Sequence, residues 1–97
     1  MAEMWLAGRR HDTETKENNA GYEIITAETY FSADGEDSRI VLGEMETARG
    51  TQYVTWESET RTGQNGVSNT VYFWGHYFND RHASFADYHR RLLEKYE

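Results

Sequence analysis

The chain has 97 residues, which is enough for one domain with a single hydrophobic core. It carries a net charge of −7, contains neither cysteine nor proline, and has no apolar run near the ~20 residues that a membrane-spanning helix needs. These features exclude disulfides, thiolate chemistry and cysteine-based zinc sites, and they disfavour direct binding of a nucleic-acid backbone. Since the N-terminus shows no secretion signal, the sequence predicts a cytoplasmic protein.

The acidic charge is concentrated in the first four-fifths of the chain. Residues 80–97 carry as many basic as acidic residues, so the whole negative excess lies in residues 1–79. A negative surface of this kind favours a protein partner with a basic surface, or it serves solubility alone.

The first 20 residues are predicted to form a polar N-terminal arm, because residues 11–20 are polar and show no apolar periodicity. The remainder, residues 21–97, is predicted to be one α+β domain. Turn signals divide its first part at Asp34-Gly35, Arg49-Gly50 and Asn65-Gly66. Four runs between these signals have the aromatic and β-branched composition of strands, at residues 22–31, 39–46, 51–59 and 70–78.

A helical period replaces the strand period after residue 79. Phe85, Tyr88, Leu92 and Tyr96 fall on one stripe of a helix over residues 82–97. Asn79 or Asp80 is placed to cap this helix. The predicted fold is therefore a four-stranded antiparallel β-meander with one C-terminal α-helix packed on one face of the sheet.

Two-residue turns at Arg49-Gly50 and Asn65-Gly66 predict a register for the last three strands. In this register Trp56 lies between Gly43 and Gly75, whose missing side chains leave room for its indole. A turn that is longer by one residue exchanges the faces on one side. The face predicted to lie beneath the helix carries Val41, Met45, Val54, Trp56, Val71, Phe73 and Tyr77.

The opposite face is predicted to be an interaction surface, because one helix cannot cover both faces and this face combines aromatic rings with acids. A homodimer contact, or coverage by Met4, Trp5 and Leu6 of the N-terminal segment, are the alternatives. The predicted partner-binding residues are Glu44, Glu46, Tyr53, Glu57, Glu59, Tyr72, Trp74, His76 and Phe78.

No recognisable catalytic or metal-binding motif is present. The histidines show no HExxH-type spacing and the serines no nucleophile elbow, so we predict no metal, no cofactor and no catalytic residue. Aromatic platforms that stack bases have basic side chains beside the rings, and here the neighbours are acidic. The alternative to a binding module is a small enzyme or ligand-binding domain that uses His76 and neighbouring carboxylates such as Glu44 and Glu57.

Three segments within residues 39–92 carry a resemblance. They are Tyr53-Val54-Thr55-Trp56, the string Tyr72-Phe73-Trp74-Gly75-His76-Tyr77-Phe78, and Ala86-Asp87-Tyr88. Together they resemble a group of small uncharacterised proteins carried by phages and mobile elements of gut Firmicutes. Small acidic proteins from such elements resemble anti-defence inhibitors, including anti-CRISPR proteins. The resemblance thus implies an inhibitor or adaptor that occupies a basic nucleic-acid-binding surface of a host effector.

Overall fold

The computed structural model describes residues 16–96 and shows five antiparallel strands in one sheet, followed by one helix. Consecutive strands are neighbours, so the topology is a meander, and the predicted α+β antiparallel class is confirmed. The prediction of four strands is wrong by one, because a two-residue strand precedes the four long ones. The elements are β1 (Asn18–Asn19), β2 (Tyr22–Ala33), β3 (Glu36–Thr47), β4 (Gly50–Thr62), β5 (Ser68–Phe78) and α1 (Arg81–Lys95).

The end of the predicted polar arm takes part in the sheet. β1 pairs with Tyr22-Glu23 at the start of β2. The turn between them has left-handed backbone at both Ala20 and Gly21, as the tightest hairpin turns require. The remaining part of the arm, residues 1–15 with the apolar segment around Trp5, lies outside the described residues.

The three long hairpins differ in how well the turn signals predict them. The turn between β2 and β3 is Asp34-Gly35, as predicted, with a φ of +75° at Gly35. The loop between β3 and β4 is Ala48-Arg49, one residue earlier than predicted, so Val41 and not Gly43 lies opposite Trp56. The connection between β4 and β5 is a five-residue loop, residues 63–67, which contains the predicted Asn65-Gly66.

A one-residue bulge divides β5 into two registers. Beyond the bulge Tyr77 keeps its predicted partner Val54, whereas before it Ser58 lies opposite Tyr72 and not Phe73. Because side chains alternate along a strand, the extra residue exchanges the faces of Tyr72 and Phe73 relative to the prediction.

Gly75, within the bulge, allows the burial of Trp56. A Cβ atom at Gly75 would lie 2.8 Å from Nε1 of Trp56, closer than side-chain atoms approach. Trp56 is 4% exposed, so its predicted burial and its predicted contact with Gly75 are both confirmed. Gly43 has a different role, because a Cβ atom there would meet Tyr22 at 3.1 Å.

The helix α1 covers one side of the sheet, which we call the helix face. Asp80 caps α1, and its carboxylate accepts a hydrogen bond from the backbone N–H of Ala83 at 2.9 Å. Tyr88 and Leu92 of the predicted stripe are buried, whereas Tyr96 lies just past the helix and is exposed. The core beneath the helix consists of Ile40, Leu42, Tyr53, Tyr88 and Leu92.

The other side of the sheet, which we call the curled face, closes on itself. The rings of Tyr22 on β2 and Tyr77 on β5 lie 6.2 Å apart, although β3 and β4 separate their strands. The same curvature brings Tyr22 and Tyr72 against Trp56, with ring centroids 5.7 and 5.5 Å from that of the indole. A second core therefore forms without a covering helix, from Tyr22, Val41, Val54 and Trp56.

The helix thus packs on the face that was predicted to be open, and this part of the prediction is wrong. The physical reason is that tyrosines from both edges close over Trp56, whereas Ile40 and Leu42 on the opposite side need Leu92 and Tyr88 to cover them. Of the residues predicted beneath the helix, Val41, Met45, Val54, Trp56 and Tyr77 belong to the curled face, while Val71 and Phe73 lie on the helix face.

Candidate interaction surface

The predicted partner-binding residues do not form one accessible surface. Tyr53 and Glu57 are each 7% exposed, because α1 covers them, so they cannot contact a partner while the helix is in place. The structure places Glu44, Glu46, Tyr53, Glu57, Glu59, His76 and Phe78 on the helix face, Tyr72 on the curled face and Trp74 in the β5 bulge.

Glu57 is the centre of a buried group of charges between the sheet and the helix. Its carboxylate lies 3.1 Å from Nζ of Lys95 and 3.9 Å from Nη2 of Arg91. It also accepts a hydrogen bond from the hydroxyl of Tyr30 at 3.3 Å. Glu57 therefore holds the end of α1 to the sheet, and its charge is compensated within the molecule.

Asp87, on the buried side of α1, binds two residues of the sheet. Its Oδ2 accepts a hydrogen bond from the hydroxyl of Thr55 at 2.6 Å and lies 2.9 Å from Nδ1 of His76. Arg90 contacts the other carboxylate oxygen. Burial raises the pKa of Asp87, but the hydrogen bonds from Thr55, His76 and Arg90 together lower it by more than burial raises it. The pKa therefore lies below its ordinary value.

The His76–Asp87 pair has the contact by which a carboxylate orients a catalytic imidazole. The side chain of His76 is about half exposed. However, no hydroxyl within residues 16–96 hydrogen-bonds to this ring, and Asp87 is shared with Thr55 and Arg90. No group of three or more potential ligand side chains in that range could hold a metal ion. Through Asp87, the pair takes part in attaching the helix to the sheet.

Arg91 connects the helix to the bulge of β5. Its Nη1 donates to the carbonyl and the hydroxyl of Thr55, at 3.1 and 2.9 Å, and its Nη2 donates to the carbonyl of Trp74 at 2.8 Å. The side chain is almost fully buried. A buried, hydrogen-bonded guanidinium thus fixes the backbone at Trp74 from beneath the sheet.

Trp74 is held in an exposed position by this backbone. It is 68% exposed, and its φ of +56° lies in the left-handed region, which costs a residue with a side chain roughly 1–2 kcal/mol. A bulge of this kind usually has glycine there. The indole contacts the ring of Phe73 edge to face at 5.1 Å. Tyr77, three residues further along β5, is also mostly exposed.

The hydroxyl of Tyr72 forms a hydrogen bond within the chain. It donates to the carboxylate of Glu17, which also accepts two hydrogen bonds from the guanidinium of Arg39 at 2.7 and 3.0 Å. Burial, followed by the hydrogen bond to Glu17, raises the pKa of Tyr72 to about 12. This cluster ties the segment before β1 to the curled face and leaves the Tyr72 hydroxyl with an internal partner.

The four acids predicted to cluster on the β3–β4 hairpin have different surroundings. Glu57 is buried, and Glu59 lies 3.5 Å from Arg61. Glu44 and Glu46 have no lysine or arginine within ion-pair distance in the part of the chain that the structure describes. These two acids are therefore the members of the predicted cluster without a basic partner among residues 16–96.

Glu44 lies at the same end of the sheet as the C-terminus of β5. A cross-strand row runs from Glu44 through Tyr53 to Phe78, and strands are spaced about 4.8 Å apart. A cleft of about 230 Å³ opens beside this row, lined by Tyr22, Gln52, Tyr53, Tyr77, Phe78 and Asn79. It is smaller than most small-molecule sites, so it does not by itself indicate a ligand.

Residues 16–96 contain no helix that is long and apolar enough to cross a membrane.

The two helix residues that connect α1 to the sheet, Asp87 and Arg91, are missing from the sequence-based site. Asp87 and Arg91 are four residues apart and border Tyr88 on the buried stripe of α1. Charged residues at this spacing beside an apolar stripe are a signal for a buried polar contact, which the search for apolar periodicity passed over. The opposing partners Thr55 and Glu57 lie on a strand with alternating polarity and gave no such signal.

No protein-family model matches the sequence, and neither curated proteins nor solved structures give a significant match. The resemblance to phage and mobile-element proteins therefore stays a prediction.

Proposed function

We propose that this chain is a protein-binding module, an inhibitor or adaptor that acts in the cytoplasm on a partner with a basic surface. Its binding surface extends around the C-terminal part of β5: Trp74 lies in the bulge and Tyr77 on the curled face, while Glu44 and Glu46 lie on the helix face at the adjoining end of the sheet. We call these four residues the acidic–aromatic surface.

The observation that carries this proposal is the conformation of Trp74. A large ring that is exposed contributes little to the core, and the left-handed backbone beneath it adds a cost that glycine would avoid. Arg91 nevertheless fixes this backbone through its bond to the Trp74 carbonyl. Exposed, rigidly held tryptophans are typical anchors of protein interfaces, where a few aromatic residues contribute most of the binding energy.

The charge of the chain supports a basic partner. The net charge is −7, and Glu44 and Glu46 lack internal cations within the described residues. Unpaired surface acids accelerate the association with a basic protein and contribute less to the final affinity. By the sequence resemblance, we propose that the partner is a host effector with a nucleic-acid-binding surface, for which CRISPR effectors are the leading candidates.

The test is affinity capture from cells that encode the chain, with wild type and Trp74→Gly as baits. Tyr96→Ala is the matched control, because it removes another exposed aromatic ring at the end of α1. We expect one protein that wild type and Tyr96→Ala retain and Trp74→Gly loses, and the purified pair should reproduce this difference. Equal capture by all three baits would contradict the proposal.

A further inference from the structure

β5 provides an outer edge of the sheet that carries no charge. Of the four long strands, it is the one without lysine, arginine, aspartate or glutamate. The opposite edge is different, because β2 carries the exposed Glu28 and is followed by Asp34 in the turn to β3. Proteins usually protect an edge strand with charged side chains or proline, since unpaired backbone groups invite another strand. Before its bulge, β5 has neither.

The outward backbone groups of β5 can be identified from two hydrogen bonds. The N–H of Thr62 donates to Gly35 on the β3 side, and the N–H of Gly63 donates to Val67 on the β5 side, each at 2.9 Å. Antiparallel pairs alternate between hydrogen-bonded and non-hydrogen-bonded positions. Counting back from Thr62, the backbone of every second residue of β4 therefore points towards β3.

The partners of these β4 residues are Ser68, Thr70 and Tyr72, and their N–H and C=O groups point outward. The side chains agree with this assignment: Thr60 and Thr70 join their hydroxyls at 2.7 Å, as expected for the closer, non-hydrogen-bonded pairs. The edge thus presents three N–H and C=O pairs in a row before the bulge. Val71, between them, is 54% exposed on the helix face.

We propose that residues 69–73 form a homodimer interface by antiparallel pairing with the same residues of a second copy. The two-fold axis passes beside Val71, so Thr70 and Tyr72 of each copy hydrogen-bond to Tyr72 and Thr70 of the other. The two Val71 side chains then pack against each other on the helix face. The bulge at Trp74 ends the pairing.

The charges favour a second copy at this edge over a basic partner. A surface selected for a basic protein keeps acids beside its backbone groups, and β5 has none. Two copies meet here without opposing like charges, whereas pairing through β2 would bring Glu28 of each copy near the other. The acidic residues of each copy lie outside β5, and exposed charges are screened beyond roughly 8 Å at physiological ionic strength. The inference is independent of the proposed function, which uses Trp74 and Tyr77, at and after the bulge, together with Glu44 and Glu46 on β3.

The experiment is sedimentation velocity over a concentration series, with Thr70→Pro and Thr70→Val as a matched pair. Both variants remove the hydroxyl bond to Thr60, but only proline removes the outward N–H. Each proline removes one intermolecular hydrogen bond, and the two-fold symmetry makes this two bonds per dimer. We therefore expect the dissociation constant of the dimer to rise by roughly 10- to 100-fold in Thr70→Pro. Thr70→Val should change it by less than about threefold.

A second pair keeps the test valid if proline disturbs the fold. Val71→Lys places two cations at the two-fold axis, while Val67→Lys adds the same charge at an equally exposed loop position. We expect Val71→Lys to be monomeric and Val67→Lys to dimerise. Amide exchange should show Thr70 and Tyr72 protected in the dimer only. A wild type that is monomeric throughout the series, or a dimer that Val71→Lys and Thr70→Pro leave intact, would overturn the inference.

Discussion

Trp56 and Trp74 lie on neighbouring strands and have opposite surroundings. Trp56 is enclosed by Tyr22, Tyr72 and the missing side chain of Gly75, whereas Trp74 projects from the bulge into solvent. The same backbone irregularity produces both environments, since the bulge brings glycine over one indole and turns the other outward. At the scale of single residues, the chain therefore separates a tryptophan that stabilises the fold from one that is available to a partner.

Trp56→Ala should lower the free energy of unfolding by about 3–5 kcal/mol, because the substitution leaves a large cavity in the curled-face core. Urea denaturation measures this loss. Trp74→Ala is the control, because it makes the same substitution at an exposed ring, and it should lower the free energy of unfolding much less. Similar losses for both alanine variants would show that Trp56 is not the centre of a core.

Trp74→Gly should be more stable than Trp74→Ala. Both variants lose the same ring, but only glycine relieves the left-handed backbone, which costs roughly 1–2 kcal/mol with a side chain present. Greater freedom of glycine in the unfolded chain offsets about 0.5–1 kcal/mol of that gain. Paired urea curves measure the difference, and an alanine variant at least as stable as the glycine variant would contradict the strain at this position.

At the scale of elements, the helix is attached to the sheet by charged residues as much as by apolar ones. Asp87 reaches Thr55 and His76, and Arg91 reaches Thr55 and the bulge. None of the buried side-chain nitrogen or oxygen atoms in the described range lacks a hydrogen-bond partner. Removing one member of such a network destabilises the fold, because the remaining charged groups are then buried without a partner.

The stability that Asp87 contributes should depend on pH. Its folded-state pKa is depressed, so the contribution is present above the unfolded pKa of about 3.9 and is lost as the pH falls through the lower folded value. Asp87→Asn removes this contribution at every pH. We therefore expect wild type to exceed Asp87→Asn in stability near pH 7 and to lose that advantage below about pH 4. A difference between the two that is constant with pH, measured by thermal unfolding, would contradict the depressed pKa.

Glu57→Lys should destabilise the fold, contrary to the expectation that this acid belongs to an open surface. The variant would place a third cation beside Lys95 and Arg91 in a buried site, and breaking such a pair costs about 3–5 kcal/mol. Glu59→Lys, two residues along the same strand, is the control, and it should stay within about 1 kcal/mol of wild type because the side chain is partly exposed and its ion pair with Arg61 lies at the surface. Equal unfolding free energies for the two variants would exclude the buried role of Glu57.

The sequence predicted the elements well because their signals are local. Strand composition, the Asp34-Gly35 turn and the Asp80 cap each depend on a few neighbouring residues. The bulge at Trp74 could not be predicted, since it arises from the steric needs of Trp56 on another strand. The face that the helix covers could not be predicted either, because it depends on the curvature of the sheet. From the sequence, Thr55 and Glu57 look like solvent-facing residues, and only the structure shows that Asp87 and Lys95 oppose them.

At the scale of the whole molecule, the bulge divides the outer edge of β5 into two parts with different properties. Before it, residues 68–73 form a regular, uncharged edge, and after it Trp74 and Tyr77 are exposed beside the acidic end of the sheet. A dimer through the first part would carry two acidic–aromatic surfaces. The two proposals can therefore fail separately: Val71→Lys tests the edge, and Trp74→Gly tests the binding surface.

The final prediction concerns the acids of the binding surface. The double variant Glu44→Lys, Glu46→Lys should bind the captured partner with a lower association rate and a nearly unchanged dissociation rate, because unpaired rim charges act mainly on the encounter. The control is Glu28→Lys with Asp34→Lys, which makes the same change in net charge on the opposite edge. Surface-based kinetics at 50 mM and 300 mM salt should show a salt-dependent association rate for wild type and the control, and a flatter response for the double variant. If both variants slow association equally, net charge alone attracts the partner. If neither variant slows association, Glu44 and Glu46 serve solubility, and the binding surface consists of Trp74 and Tyr77 alone.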